Sequence, residues 1–358
     1  MNISRRLLLA AAGSAVLTSC GDGEAVVRRT TEAAAAGSAG ATGAAGGTSG
    51  SAGGAGRAVV GLTYIPNVQF APFYVGIAQG TFARHGVQVE VRHHGVQEGL
   101  FTALAAGQEH LVIASGDEVL QARDKGLDLV AVASYYRRLP VVLIVPDRSP
   151  IRSAADLRGR SLGVPGRYGA SWLGALAMLK DAGVPLGEVS VTEIGYTSQA
   201  ALATGKVDAV MGYRNNDAVQ LRQAGVAIRE LPLTRGGEPP LVSVSLVTTS
   251  AYAAAHPQTV RAVADAMVEA IGQVKTDPAR ALQDTKAYVP TLAEPRAAAA
   301  ARATLDATTP LLLDAAGRAS GRLVPAEWTA MSTFMRAQGL IAKDVSAAQV
   351  VRTDLVTR

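Results

Sequence analysis

Apolar positions along the chain recur in two rhythms. Short aliphatic or alternating runs (Ala58-Val59-Val60-Gly61-Leu62, Val87-Gln88-Val89-Glu90-Val91, Leu111-Val112-Ile113-Ala114 and residues 127–133) read as strands. Between them lie segments of helical period. Residues 72–84 read as a helix ended by Gly86, 98–106 as one stopped by Gly107, and 118–125 as a third. The alternation predicts an α/β fold with a mainly parallel sheet covered by helices.

A second α/β unit begins near Pro150. Ser153-Ala154-Ala155-Asp156 has the spacing of a capping box and opens a short helix. A strand over 161–164, a helix from about Gly169, a strand over 189–194, a helix over 198–203, a strand over 208–211 and an extended run over 226–231 follow. Apolar runs at 141–145 and 241–247 read as two chain crossings, so residues 57–147 with 242–358 form lobe 1 and 148–241 form lobe 2 of a hinged clamshell. The last third is helical. Val260, Val263, Ala264, Met267, Ile271 and Val274 define one apolar face, and Asp277-Pro278 supplies an N-cap and first-turn proline for the next helix. These helices are expected on lobe 1.

The N-terminus reads differently. Arg5-Arg6, the apolar run 7–16 and Leu17-Thr18-Ser19-Cys20 form a signal peptide, its apolar stretch shorter than the roughly 20 residues of a spanning helix. Leu17 to Cys20 resembles the lipidation site of bacterial lipoproteins, which implies cleavage before Cys20, a lipid on its thiol and anchorage to the outer face of the cell membrane. Ser4-Arg5-Arg6-Leu7-Leu8-Leu9 is similar to a twin-arginine export signal, and ordinary signals carry arginine pairs too, so both export routes stay open. Residues 21–56 are almost wholly Ala, Gly, Ser and Thr, a composition that reads as a flexible tether.

The formal charge is +5; without Arg5 and Arg6 there are 32 basic against 29 acidic residues, an excess of three. No basic block is interleaved with aromatics, so nucleic acid is excluded as a partner. Cys20 is the single cysteine, leaving none for a disulfide or a thiolate metal site. His93-His94 ends a strand, where neighbours face opposite ways, which excludes a paired-histidine metal site. No Ser/His/Asp order, paired-carboxylate signature or P-loop is present, so no catalytic residue, metal or cofactor is expected.

The segment Val60-Gly61-Leu62-Thr63-Tyr64-Ile65-Pro66-Asn67, followed by Ala71-Pro72-Phe73-Tyr74-Val75-Gly76 and Gly80-Thr81-Phe82, resembles the opening of type II ABC-importer solute-binding proteins. The group is that of the thiamine-pyrimidine-precursor, riboflavin and alkanesulfonate carriers. Leu104-Ala105-Ala106-Gly107, Gly116 to Arg123, Asp156-Leu157-Arg158-Gly159-Arg160 and Gly205-Lys206-Val207-Asp208-Ala209 extend the resemblance in order, over about 59–289. It implies a periplasmic-binding-protein-like type II clamshell that hands a small molecule to an importer permease. Pro66-Asn67, Asp117-Glu118, residues 165–171 and Gly212-Tyr213-Arg214-Asn215-Asn216-Asp217 are most similar to the riboflavin and pyrimidine-precursor carriers. Fungal enzymes of the same superfamily carry a cysteine cluster that this chain lacks.

In open α/β sheets ligands bind beyond the carboxyl ends of the strands. The residues there give the candidate site: Tyr64, Asn67, Phe70, Asp117, Glu118 and Tyr136 from lobe 1, and Tyr168, Ser171, Trp172, Tyr213, Asn215, Asn216 and Asp217 from lobe 2. Of sixteen aromatic residues, ten fall in or beside these loops, which favours a planar heteroaromatic ligand over nitrate or a small sulfonate. Asn67, Asn215 and Asn216 match a ring edge with donors and acceptors, and the three acids match amines or hydroxyls. Gly163-Val164-Pro165-Gly166-Arg167-Tyr168-Gly169 reads as a backbone-amide loop at a helix N-terminus, with Arg167 and Arg214 as solvated rim charges or, alternatively, as holders of a phosphate or carboxylate. The competing readings are a carrier of an alkanesulfonate or other small anion, and an extracellular enzyme or sensor lobe.

Overall fold

The computed structural model describes residues 56–94, 98–235 and 239–357. The signal sequence, Cys20 and nearly all of the expected tether lie outside them. Two five-stranded mixed sheets organise the chain. The first half runs β1 (Gly56–Leu62), α1 (Ala71–Ala78), α2 (Thr81–Arg84), β2 (Val87–His93), α3 (Thr102–Ala105), β3 (Leu111–Ser115), α4 (Gly116–Asp124) and β4 (Leu129–Ser134). It continues with β5 (Val141–Pro146), β6 (Ser161–Val164), α5 (Gly169–Asp181), β7 (Ser190–Glu193), α6 (Ser198–Ala203), β8 (Ala209–Tyr213), α7 (Asp217–Gln223) and β9 (Ile228–Leu231). The chain ends with β10 (Val244–Thr249), α8 (Ser250–Ala255), α9 (Pro257–Thr276), α10 (Pro278–Thr285), α11 (Pro295–Leu312) and α12 (Pro325–Ala337), followed by short turns.

The first sheet has the order β2-β1-β3-β10-β4 and the second β7-β6-β8-β5-β9. In the first, β2, β1 and β3 are parallel and β10 runs antiparallel between β3 and β4. In the second, β7, β6 and β8 are parallel and β5 runs antiparallel between β8 and β9. Each sheet thus departs from the expected parallel pattern at the strand received from the other sheet.

That placement corrects the expected crossings. Residues 141–145 and the end of 241–247 are not linkers but the interior strands β5 and β10, and the chain passes between the sheets after β4 and after β9. The expected boundary at 147 therefore leaves a strand of the second sheet in lobe 1. The reason is plain in retrospect: an aliphatic run such as Val141-Val142-Leu143-Ile144-Val145, at most 3% exposed, belongs inside a sheet. The stretch carrying Arg137, Arg138 and Pro140 suits a connection.

Other local expectations fare better. The stripe Val260, Val263, Ala264, Met267, Ile271 and Val274 on α9 is fully buried, and α9 packs on α1, α2 and the first sheet. Asp277 caps α10, its Oδ1 accepting from the Arg280 backbone N–H at 2.9 Å. The Ser153–Asp156 capping box opens a 3-10 turn rather than an α-helix. The expected helix 72–84 is split at Gln79-Gly80, where Gly80 adopts φ +67°, a left-handed conformation that suits glycine. The helix expected over 98–106 shrinks to α3. Both faces of each sheet are apolar and covered, with α1 and α9 on one side of the first and α4 and α12 on the other. Leu173 of α5 packs into that second layer, and α4 touches α5 directly. Among the described residues no helix is long and apolar enough to cross a membrane.

Candidate functional site

A cavity of ≈ 190 Å³ opens where the carboxyl ends of the parallel strands of both sheets meet. From the first sheet's side come Thr63 and Tyr64 after β1, Ser115 and Glu118 at the β3–α4 junction, and Tyr135 and Tyr136 after β4. From the second come Pro165 and Tyr168 after β6, Tyr196 and Ser198 after β7, and Asn216 and Asp217 after β8. The first turn of α5 (Gly169, Ala170, Ser171) closes one side.

The wall is built of tyrosine. Seven of its twenty-one residues are aromatic, against 4% of the chain, and six of those seven are tyrosines. Tyr64 and Tyr196 meet edge to face, with centroids 5.3 Å apart and planes at 88°. The Tyr64–Tyr196 contact thus joins a loop of the first sheet to a loop of the second. Tyr135 stacks on Tyr136 at 5.2 Å. Tyr168 and Tyr196 are each about half exposed, at 54% and 51%, which places them at the mouth.

Burial, and for Tyr64 also the negative charge of Asp217, pushes the Tyr64 and Tyr196 phenols above their usual range, Tyr196 up to about 12. They stay protonated and serve as hydrogen-bond donors. Among the described residues Glu118 and Asp217 are the carboxylates of the wall, and no Lys, Arg, His or Cys lines it. The Glu118 Oε2 accepts from the Ser115 backbone N–H at 2.9 Å and from its hydroxyl at 2.7 Å, a capping box that fixes the side chain. The Asp217 Oδ2 accepts from the Tyr213 backbone N–H at 2.8 Å. Burial raises the pKa of both acids.

Nine of the thirteen residues proposed from sequence line this cavity: Tyr64, Phe70, Glu118, Tyr136, Tyr168, Ser171, Tyr213, Asn216 and Asp217. Four do not. Asn67 accepts from the Gln69 backbone N–H at 3.0 Å and starts a 3-10 turn. Asp117 is buried behind the wall, one carboxylate oxygen without a partner, and burial followed by the neighbouring Glu118 charge raises it to about 7. Trp172 turns into the core of the second sheet, beneath the Arg167 guanidinium at 5.2 Å. Asn215 is fully buried and donates to Thr308 and Tyr136.

Sequence reasoning missed Thr63, Gln69, Ser198 and Gln220. Gln69 was the legible one: a polar residue in the apolar run Val68-Gln69-Phe70, only 8% exposed, its carbonyl accepting from the Tyr135 hydroxyl at 2.7 Å. Gln220 lies one helical turn beyond Asn216 and donates to its Oδ1 at 2.8 Å. The two arginines considered for an anion stand apart. Arg167 faces Trp172 and Glu193 (3.5 Å), and Arg214 faces Glu230 (3.6 Å). His93 and His94 have separate partners. The first bridges the Tyr64 carbonyl (3.1 Å) and the Tyr74 hydroxyl (3.0 Å), and the second contacts Glu109 (2.8 Å).

Comparison with known proteins places this architecture. The riboflavin-binding protein RibY of Chloroflexus aurantiacus is 30% identical over 308 residues, spanning 84% of this chain and 86% of RibY. The formylaminopyrimidine-binding protein of Halalkalibacterium halodurans is 29% identical over 195 residues, 54% of this chain and 58% of that protein. The periplasmic aliphatic sulphonate binding protein SsuA of Escherichia coli has the same fold, with a TM-score of 0.66 over 84% of this chain and 98% of SsuA at 17% identity. The family described as NMT1/THI5 like matches residues 67–281, and the chain belongs to that family.

Proposed function

We propose that the protein is an extracytoplasmic solute-binding protein that captures a planar, neutral heteroaromatic molecule, riboflavin first and a thiamine pyrimidine precursor second, and delivers it to an ABC-importer permease. The observation that carries this reading is the wall itself, rich in tyrosine and free of cations. Tyrosine faces stack on flat rings while their hydroxyls donate to ring acceptors. Glu118, Asp217 and the Asn216 and Gln220 amides accept from ring N–H, amino or ribityl hydroxyl groups. The names of the two relatives that align by sequence support the same class of ligand.

An alkanesulfonate would need a fixed cation or free backbone donors. Arg167 and Arg214 are engaged elsewhere, and the resemblance to SsuA is one of fold. A role in binding rather than turnover is favoured by a wall whose serines have no histidine, lysine or cysteine beside them in the cavity. In this reading Cys20 carries the lipid and residues 21–56 let the domain move clear of the membrane.

Titration of the purified protein with riboflavin, the formylamino and hydroxymethyl pyrimidines and ethanesulfonate tests the assignment. A planar ligand is expected to bind and quench tyrosine and tryptophan emission, with flavin emission quenched in turn. Binding of ethanesulfonate in preference to all three rings would overturn it.

A further inference from the structure

The N-terminus of α5 opens onto the cavity through Gly169, Ala170 and Ser171. The first N–H groups of a helix have no partner within it and, with the helix dipole, attract anions. Here a carboxylate stands close to the first residue of the helix. A Cβ atom on Gly169 would lie 3.3 Å from the Oε1 of Glu118, a residue of α4 on the other side of the cavity. Gly169 has φ +68°, a left-handed conformation that favours glycine. The Ser115 bonds hold Oε2 of Glu118 from within its own helix, and Oε1 is the oxygen that approaches α5. Direct packing of α4 on α5 fixes the two helices together. No lining residue carries a positive charge to offset the carboxylate.

We infer that Glu118 sets the charge selectivity of the cavity: its carboxylate stands beside the first residue of α5 in a wall whose described residues include no cation, so that neutral, donor-bearing solutes enter and sulfonates or phosphates are rejected. The inference rests on the reading of the cavity as a solute site and names the residue that narrows its ligand class. A like charge at about 4 Å in a partly buried site is worth some three powers of ten in affinity, and solvent entering the cavity reduces this to about a hundredfold.

The test uses wild type, Glu118→Gln, Glu118→Ser and Asp217→Asn, each checked for folding by circular dichroism and titrated with riboflavin, the formylamino pyrimidine and ethanesulfonate. Glutamine retains an acceptor for the Ser115 cap, and serine serves if glutamine fails to fold. Both Glu118 variants are expected to gain about a hundredfold in ethanesulfonate affinity, and Asp217→Asn is expected to gain little. A wild type that binds a planar solute, alongside folded Glu118 variants that gain nothing, overturns the role of Glu118 alone. An equal gain in Asp217→Asn does the same. A wild type that prefers ethanesulfonate overturns the solute assignment and this inference together.

Discussion

The Asn215 side-chain amide donates to the Thr308 hydroxyl at 2.9 Å, tying the loop after β8 of the second sheet to α11, which packs beside α9 and α10 on the first. The same amide lies 3.3 Å from the Tyr136 hydroxyl in the cavity wall. Asn215 is thus a tie between the two sheets' elements rather than a wall residue. Asn215→Ala strands buried hydroxyls at a cost of about 1–3 kcal/mol. Ligand affinity should fall about tenfold without loss of a ligand contact. Small-angle scattering at saturating ligand should show a larger radius of gyration than wild type. Unchanged affinity and scattering would remove the tie from the closing mechanism.

Tyr64→Ala and Tyr196→Ala should each weaken binding of a planar ligand by about tenfold. Stacking contributes about 0.5–1.5 kcal/mol beyond area burial, and the edge-to-face partner loses its support as well. Trp172→Ala should act on stability instead, costing about 3–5 kcal/mol as a buried large-to-small change. Paired calorimetry and thermal melts separate the two. Arg167→Ala should leave affinity within about twofold, because its guanidinium serves Trp172 and Glu193.

Asp117 gives a pH signature. Burial first, then the adjacent Glu118 charge, raises it to about 7, well above the range of a carboxylate in the unfolded chain. Between about pH 4 and 7 the folded state therefore holds more protons than the unfolded one, and this residue's contribution to stability falls as pH rises through that window. Asp117→Asn removes the penalty. Its melting temperature should exceed that of wild type by a few degrees at pH 8 and match it near pH 4. A constant difference at both pH values would refute the assignment.

The anchor is tested separately. Cys20→Ser should release the protein from membranes, and trimming residues 21–56 should leave ligand affinity unchanged. Retention of Cys20→Ser on membranes after a high-salt wash would exclude the lipid.

What the sequence revealed, and what it concealed, follow from one geometric fact. Periodicity reports which residues share a face, so the α9 stripe and most strands were legible, as was the set of loops that form the cavity. It does not report which way a loop or the first turn of a helix is aimed. One residue step on a helix turns the side chain by roughly 100°. Hence Ser171 lines the cavity while Trp172 enters the core, and Glu118 lines it while Asp117 is sealed behind. Asn216 faces the cavity while Asn215 reaches α11. The crossings were misplaced for a related reason: an apolar run marks burial, and only the pairing of β5 and β10 with distant strands shows which sheet they complete.

That pairing also orders how the chain becomes a protein. The second sheet is assembled from the continuous stretch 141–231, so all its strands are available as soon as that stretch has been made. The first sheet is not: among the described residues β4 pairs with β10 and with no other strand, and more than a hundred residues separate the end of β4 at Ser134 from the start of β10 at Val244. Until β10 emerges, β3 keeps one open edge and β4 two. Assembly from the N-terminus must therefore hold an aggregation-prone, half-built sheet while the second is completed, and the last third of the chain is what seals it.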